Sequence, residues 1–398
     1  MRTWTLLLCV LLTGCAAPPP QSPPLAGLLD DTAFPAPAAA VTASDLFTLS
    51  PAMSAHLRSR AFQAKLREHG AARGLVKALY DKSDLQLDYD ATRTQTAAQT
   101  YAQRSGNCLS LVIMTAAFAR ELGMRVRFQR VETVAAWSRA NALYLVSEHV
   151  NIHLAPRAPA PNSYDADSEL TVDFLPSRDA GRLRTRELEE DDIVALYLNN
   201  RAVEELVQGR DAEAYWLVRE ALRIRPSTLA AYNTLGVIYQ RSGRPLLAER
   251  VYRAALEQKP DSLLVMQNLA PLLAVNGKAA ESEALMQRIA RLHPAPPFHY
   301  FDQGMAAWRA NDFARARALF AREVARAPYN DEFHFWLGVA HLGLGELDPA
   351  ARQLALARDT SVRADTRERY AAKLAHLRAA SASSAAGMPR QRPAPRLN

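Results

Sequence analysis

The sequence predicts an α+β N-terminal domain followed by an all-α repeat solenoid. Three observations carry that prediction. Pro226, Pro260, Pro294 and Pro328 recur at intervals of 34 residues. Residues 43–186 lack this period and pass from helical spacing of apolar residues to period-two alternation. A short apolar run ending at Cys15 and a Pro/Ala-rich stretch precede both.

Composition sets the outer limits. The chain has 398 residues, 49% apolar and 22% charged, which is a globular composition. Its apolar runs are too short for a polytopic membrane protein, which needs ~20 apolar residues per span. The net charge is +7, with six Lys among 48 cations. Most of these Arg residues are spread through helical patterns, where their stems cover apolar faces. The charge therefore points to no nucleic-acid partner.

The opening MRTWTLLLCVLLTGC places one Arg before an apolar stretch, Leu6 to Leu12. That pattern reads as a signal peptide over residues 1–14. Leu12-Thr13-Gly14-Cys15 resembles the lipobox of bacterial lipoproteins, which implies lipidation at Cys15. The expected location is the cell envelope, anchored by lipid, on the outer membrane facing the periplasm. Residues 15–42 are expected to be an extended tether. Of three cysteines, Cys9 leaves with the signal peptide and Cys15 carries lipid, so Cys108 is the one free thiol of the mature chain.

The 34-residue interval is the tetratricopeptide period, in which helix pairs stack to bury a face that none buries alone. Tyr232, Leu235, Gly236, Tyr239, Gly243, Ala248, Tyr252, Ala255 and Pro260 follow that family's pattern in the second unit. About five repeats and a capping helix, from about Arg363 to Arg378, are expected over residues 190–380. Pro271 falls inside the first helix of unit three and is expected to bend the array. A basic tail spans residues 381–398. The array is expected to bind a peptide or protein in its groove. Asn199, Asn233 and Gln267 would hold the ligand backbone there, and Phe301 and Trp308 would anchor it. Phe298 and Phe335 share this aromatic stretch.

The middle region carries the chemistry. Helical patterns run from Ala52 to about His69 and from Ala72 to Asp81, and the Leu85–Tyr89 stretch is extended. Arg104-Ser105-Gly106-Asn107 reads as a turn, and Cys108 opens a buried helix to about Leu122. Free N–H groups at a helix start favour negative charge, so a thiolate is favoured there. Strands are expected over Arg125–Val131 and Leu143–Leu154, the latter containing His149 and His153. A third strand, Leu170–Phe174, contains Asp173.

Gly-x-Cys at a helix start, His-Val on a strand and Asp on the next strand resemble the transglutaminase-like superfamily over about Thr94 to Pro176. The resemblance implies a papain-like helix plus antiparallel sheet, with Cys108 as nucleophile, His149 as base and Asp173 as orienting acid. A thiol needs a base, and the base needs a partner to fix its tautomer. His153 competes for the base, and Asp165 or Asp167 for the acid. Gln103 is an alternative oxyanion donor beside the Cys108 N–H. No cofactor and no metal are expected. The implied activity is a thiol protease, amidase or acyltransferase; the alternative is a non-catalytic scaffold of an envelope complex.

Overall fold

The computed structural model describes residues 25–37, 42–81, 84–140, 143–156, 169–174, 184–361 and 363–386. The signal peptide, Cys15, Asp165, Asp167 and the last twelve residues of the tail lie outside these.

Three helices open the N-terminal part: α1 (Pro51–Leu57), α2 (Arg60–His69) and α3 (Ala71–Tyr80). The single helix expected from Ala52 to His69 is divided at Arg58-Ser59. The Ser59 side chain takes the Phe62 N–H at 3.2 Å and so starts a new helix. Strand β1 (Asp88–Tyr89) pairs in parallel with β2 (Ser105–Gly106), on either side of α4 (Ala97–Gln103). Then comes α5 (Cys108–Glu121), in which every residue from Leu109 to Ala119 is buried. Such an all-round apolar helix needs cover on all sides. It lies against β3 (Arg125–Ala140) and β4 (Leu143–Ala155) on one side and α3 and α4 on the other.

Strands β5 (Leu170–Val172) and β6 (Arg184–Leu188) complete a four-stranded antiparallel sheet ordered β5-β4-β3-β6. Strand β3 extends nine residues past the expected Val131, through an irregularity between Val131 and Ala136. The β6 edge was not expected: Arg184-Thr185-Arg186-Glu187 has no apolar face, and β6 is exposed until Leu188.

The C-terminal part is an all-α array. Its helix pairs are α6 (Glu190–Val207) with α7 (Asp211–Ile224), α8 (Leu229–Arg241) with α9 (Pro245–Gln258), and α10 (Leu263–Val275) with α11 (Ala279–Leu292). These continue as α12 (His299–Arg309) with α13 (Phe313–Arg326), and α14 (Asp331–Gly343) with α15 (Leu347–Thr360). Helix α16 (Ala364–Ala386) closes the described array. The inter-helix turns need a left-handed residue at each 34-residue step. Gly209, Gly243, Gly277 and Gly345 have φ between +73° and +78°, and Asn311 takes the fourth position at +60°. Asn is the non-glycine residue that tolerates this conformation best. At Gly236 the helices meet so closely that an added Cβ would lie 2.4 Å from the Tyr252 ring.

Helix α10 runs through Pro271 as one element. The shared core continues past it and breaks further on. One continuous apolar core joins the N-terminal part to the array as far as Leu273. A second begins at Phe298. Between them, α11 buries only Ser282, and the His293-to-Pro297 linker leads to Phe298 at φ +66°.

The N-terminal part is also tied to the array by polar contacts. The Glu204 carboxylate accepts the Thr94 N–H at 2.5 Å, and Arg120 pairs with Glu190 at 2.5 Å. Residues 25–37 correct the expectation of a free tether. They are docked on α7 and α8, with Leu28 and Phe34 buried in the shared core.

Candidate active site

The turn before Cys108 is braced from beneath. The Asn107 side chain caps α5 by accepting the Ser110 N–H at 2.9 Å and the Ser110 hydroxyl at 2.8 Å. Its amide donates to Thr94 Oγ1 at 2.8 Å, and Ser110 Oγ accepts the Gln95 N–H at 2.9 Å. Gly106 is required by space: a Cβ there would lie 2.8 Å from that of Ser110. Gly106 and Asn107 therefore each have a mechanical reason. The outcome is a half-buried, free thiol at the first residue of a rigid helix.

Strand β4 supplies His149, which is 7% exposed. Val172 on β5 pairs with Ile152, three residues beyond His149, and the chain then reaches Asp173. Its Oδ1 lies 2.7 Å from His149 Nε2. Nδ1 is sealed from solvent and has no bonded partner. The neighbouring Cys108 side chain favours the charged ring. Burial opposes an imidazolium at this position. The Asp173 hydrogen bond and the neighbouring Cys108 outweigh it and raise His149 to about 9. The arrangement holds a protonated imidazole between the Asp173 carboxylate and the Cys108 sulfur at neutral pH.

Sequence reasoning missed Tyr89. Parallel pairing sets it opposite Gly106, with Asp88 N–H on Arg104 O and Asp90 N–H on Gly106 O. Its hydroxyl is in hydrogen-bond contact with both the thiol and the backbone N–H of Cys108. Burial first, and Cys108 second, push this phenol far above its usual range, so it stays a hydrogen-bond donor. Nothing local marks Tyr89, because the pairing partner is seventeen residues away across α4. Tyr80 flanks the opposite side. Burial and the Asp173 charge push it up to about 12. It also lines a cleft of about 690 Å³ with Arg73, Lys77 and Leu170.

The competing residues are engaged elsewhere. His153 Nδ1 meets Thr171 Oγ1 at 3.1 Å, and its Nε2 meets Glu169 at 3.2 Å. Gln103 is exposed, and its Oε1 accepts from Gln95 at 3.0 Å. Among the described residues, no group of three His, Cys, Asp or Glu side chains is arranged to hold a metal ion.

Of the residues expected in the array's groove, Asn199, Asn233 and Phe301 are corrected by their packing. Asn199 and Asn233 are buried and bonded between successive first helices. Thr234 donates to Asn199 Oδ1 at 2.8 Å, and Asn268 donates to Asn233 Oδ1 at 2.8 Å. Phe301 is 1% exposed, within an aromatic cluster with Phe298, Phe320 and Phe333. Trp308 is half-buried and meets Trp336 edge-on at 5.2 Å. Gln267 is half-buried, and its sealed Oε1 has no protein partner. The sequence shows which helix face these side chains share, but not how closely the next helix covers it.

Residues 233–297 and 301–361 match the tetratricopeptide repeat family. A 111-residue stretch is 32% identical to cellulose synthase operon protein C of Xanthomonas axonopodis pv. citri, covering 28% of this chain and 7% of that protein. A 76-residue stretch is 34% identical to the protein y4yS of Sinorhizobium fredii, covering 19% of this chain and 42% of that one. The matches thus span well under two thirds of either relative. A solved structure, the thermophilic tetratricopeptide protein TTC0263 of Thermus thermophilus, is similar over 45% of this chain and 98% of its own, with 20% identity and a TM-score of 0.31. The family match and the 34-residue helix pairs define the C-terminal part as a tetratricopeptide array, a protein-binding class of repeat.

Proposed function

We propose that the chain is a thiol-dependent hydrolase or acyltransferase acting on a peptide or amide bond, with the repeat array recruiting the protein that carries it. The observation that carries this reading is His149, held between Asp173 at 2.7 Å and the Cys108 thiol and raised to about 9. The Cys108 thiolate attacks the carbonyl carbon. The carbonyl electron pair moves to oxygen, which takes the Cys108 N–H over from the Tyr89 hydroxyl. His149 then gives its proton to the leaving amine, and the acyl group remains as a thioester. Water or a second amine, deprotonated by His149, releases it. The order of Cys, His and Asp fits the transglutaminase-like superfamily.

The lipobox-like Leu12-Thr13-Gly14-Cys15 supports a lipid anchor at Cys15 and a cell-envelope location, with an envelope peptide or protein as substrate. A non-catalytic scaffold is the second reading, favoured by the repeat match over residues 233–297 and 301–361.

A thiol-reactive peptide probe separates the two. The enzyme reading expects rapid labelling of Cys108 that falls at least tenfold in His149→Ala. Labelling at the rate of an ordinary thiol, unchanged by that substitution, would leave the scaffold alone.

A further inference from the structure

Residues 25–37 are held on the array in the way a bound peptide is held. Asp31 is read by its carboxylate. Arg219 Nε donates to Oδ1 at 2.8 Å and Oδ2 at 3.0 Å, and the Tyr215 hydroxyl donates to Oδ1 at 2.7 Å. Phe34 is read by its ring. It stacks on Tyr215 at 4.3 Å and 15°, lies 6.1 Å from the Tyr239 ring, and is covered by the Arg244 guanidinium at 5.2 Å. The main chain is held without regard to side chain. Trp216 Nε1 donates to Pro35 O at 2.6 Å and Arg244 donates to Ala33 O at 3.1 Å. The Tyr239 hydroxyl accepts the Asp30 N–H at 3.0 Å and donates to Leu28 O at 2.9 Å.

We infer that α7, the end of α8 and Arg244 form a peptide-binding site for segments of the pattern Asp-x-x-Phe-Pro whose Asp-x-x part turns as a 3-10 helix, as Asp31–Ala33 does. Residues 25–37 are its built-in ligand. The two side-chain readouts give selectivity, and the main-chain contacts give affinity for a backbone that turns as residues 28–35 do. The site is made mainly by the outer helix of the first pair, away from the Asn199 and Asn233 contacts between first helices. The outer helix α11 is not covered in this way: its Met286 and Leu292 are each 47% exposed. The strap is therefore not a requirement of the repeat fold but a particular occupant of one face.

A ligand joined through a short linker acts at an effective concentration of order millimolar. A free peptide of micromolar affinity is thus excluded until the strap leaves. The natural ligand in trans is a partner protein that presents the same acidic, aromatic and proline pattern. This assignment is independent of the chemistry at Cys108.

The test uses a fluorescent peptide of residues 25–37 and the full chain, read by anisotropy. Asp31→Ala with Phe34→Ala disables the strap and leaves the receptor side intact. The peptide is expected to bind this variant at least tenfold more tightly than the parent. Asp31→Asn, a milder change, should give an intermediate affinity and provides the comparison if the double variant folds poorly. Adding Arg219→Ala to the double variant should return binding to the parental level. Equal binding to parent and both variants would overturn the assignment, because the peptide would then sit elsewhere. So would failure to bind a double variant whose far-UV circular dichroism matches the parent.

Discussion

Replacing Asp173 by Asn keeps the volume of the side chain and removes its charge. In the parent, Asp173 contributes the leading favourable contact to an imidazolium that burial opposes. The distance between about 9 and the ordinary 6.5 measures the net balance. At ~1.4 kcal/mol per tenfold change it amounts to roughly 3 kcal/mol in favour of the charged ring. With Asp173 neutral, burial is opposed by Cys108 alone, and His149 falls toward its ordinary value. The charged fraction of the ring between pH 7 and pH 9 then falls. Two-dimensional NMR of ¹⁵N-labelled imidazoles, titrated from pH 5 to 10, reads this directly. The parent should titrate near pH 9, and Asp173→Asn lower by about one unit or more on the scale of such contacts. A midpoint unchanged by the substitution would refute the argument, because the 2.7 Å contact would then be electrostatically idle.

Stability should follow the same linkage. His149 titrates higher folded than unfolded, so its contribution is fully present below pH 6.5 and is lost as pH rises through about 9. Urea unfolding of the parent should lose ~3 kcal/mol across that window relative to His149→Gln; parallel pH profiles would contradict it. Tyr89→Phe removes a hydroxyl from the Cys108 thiol and N–H. One hydrogen bond of ~1 kcal/mol predicts about a fivefold loss in the rate of probe labelling at Cys108. The urea midpoint should stay near the parent's, and an unchanged rate would remove Tyr89 from the site. Gly236→Ala drives a Cβ to 2.4 Å from the Tyr252 ring and should destabilise the array by ~1–3 kcal/mol. An unaltered unfolding midpoint would show that the two helices separate freely there.

The legible parts of this fold are those that repeat or alternate locally. The prolines and left-handed turn residues recur at 34-residue steps because each helix pair meets the same steric demands. Helix α5 was legible at Cys108 because Asn107 caps it and an apolar run follows. Other features depend on partners that the local sequence does not show. The Pro/Ala-rich composition of residues 15–42 reads as an extended chain. The slot that holds Phe34 is made by Tyr215 and Tyr239, about two hundred residues away. Tyr89 is placed by pairing across α4 rather than by its own neighbours. Phe301 has the spacing of a groove residue, but Phe298, Phe320 and Phe333 enclose it. Pro271 signals a break, yet the core divides at the linker before Phe298.

The central claim is that Cys108 is poised as a nucleophile by a charged His149. Its most direct test is the rate of Cys108 alkylation by iodoacetamide at pH 7, followed by intact mass, in the parent and in His149→Ala. The account predicts a rate at least tenfold higher in the parent. Equal rates in the two proteins would contradict it.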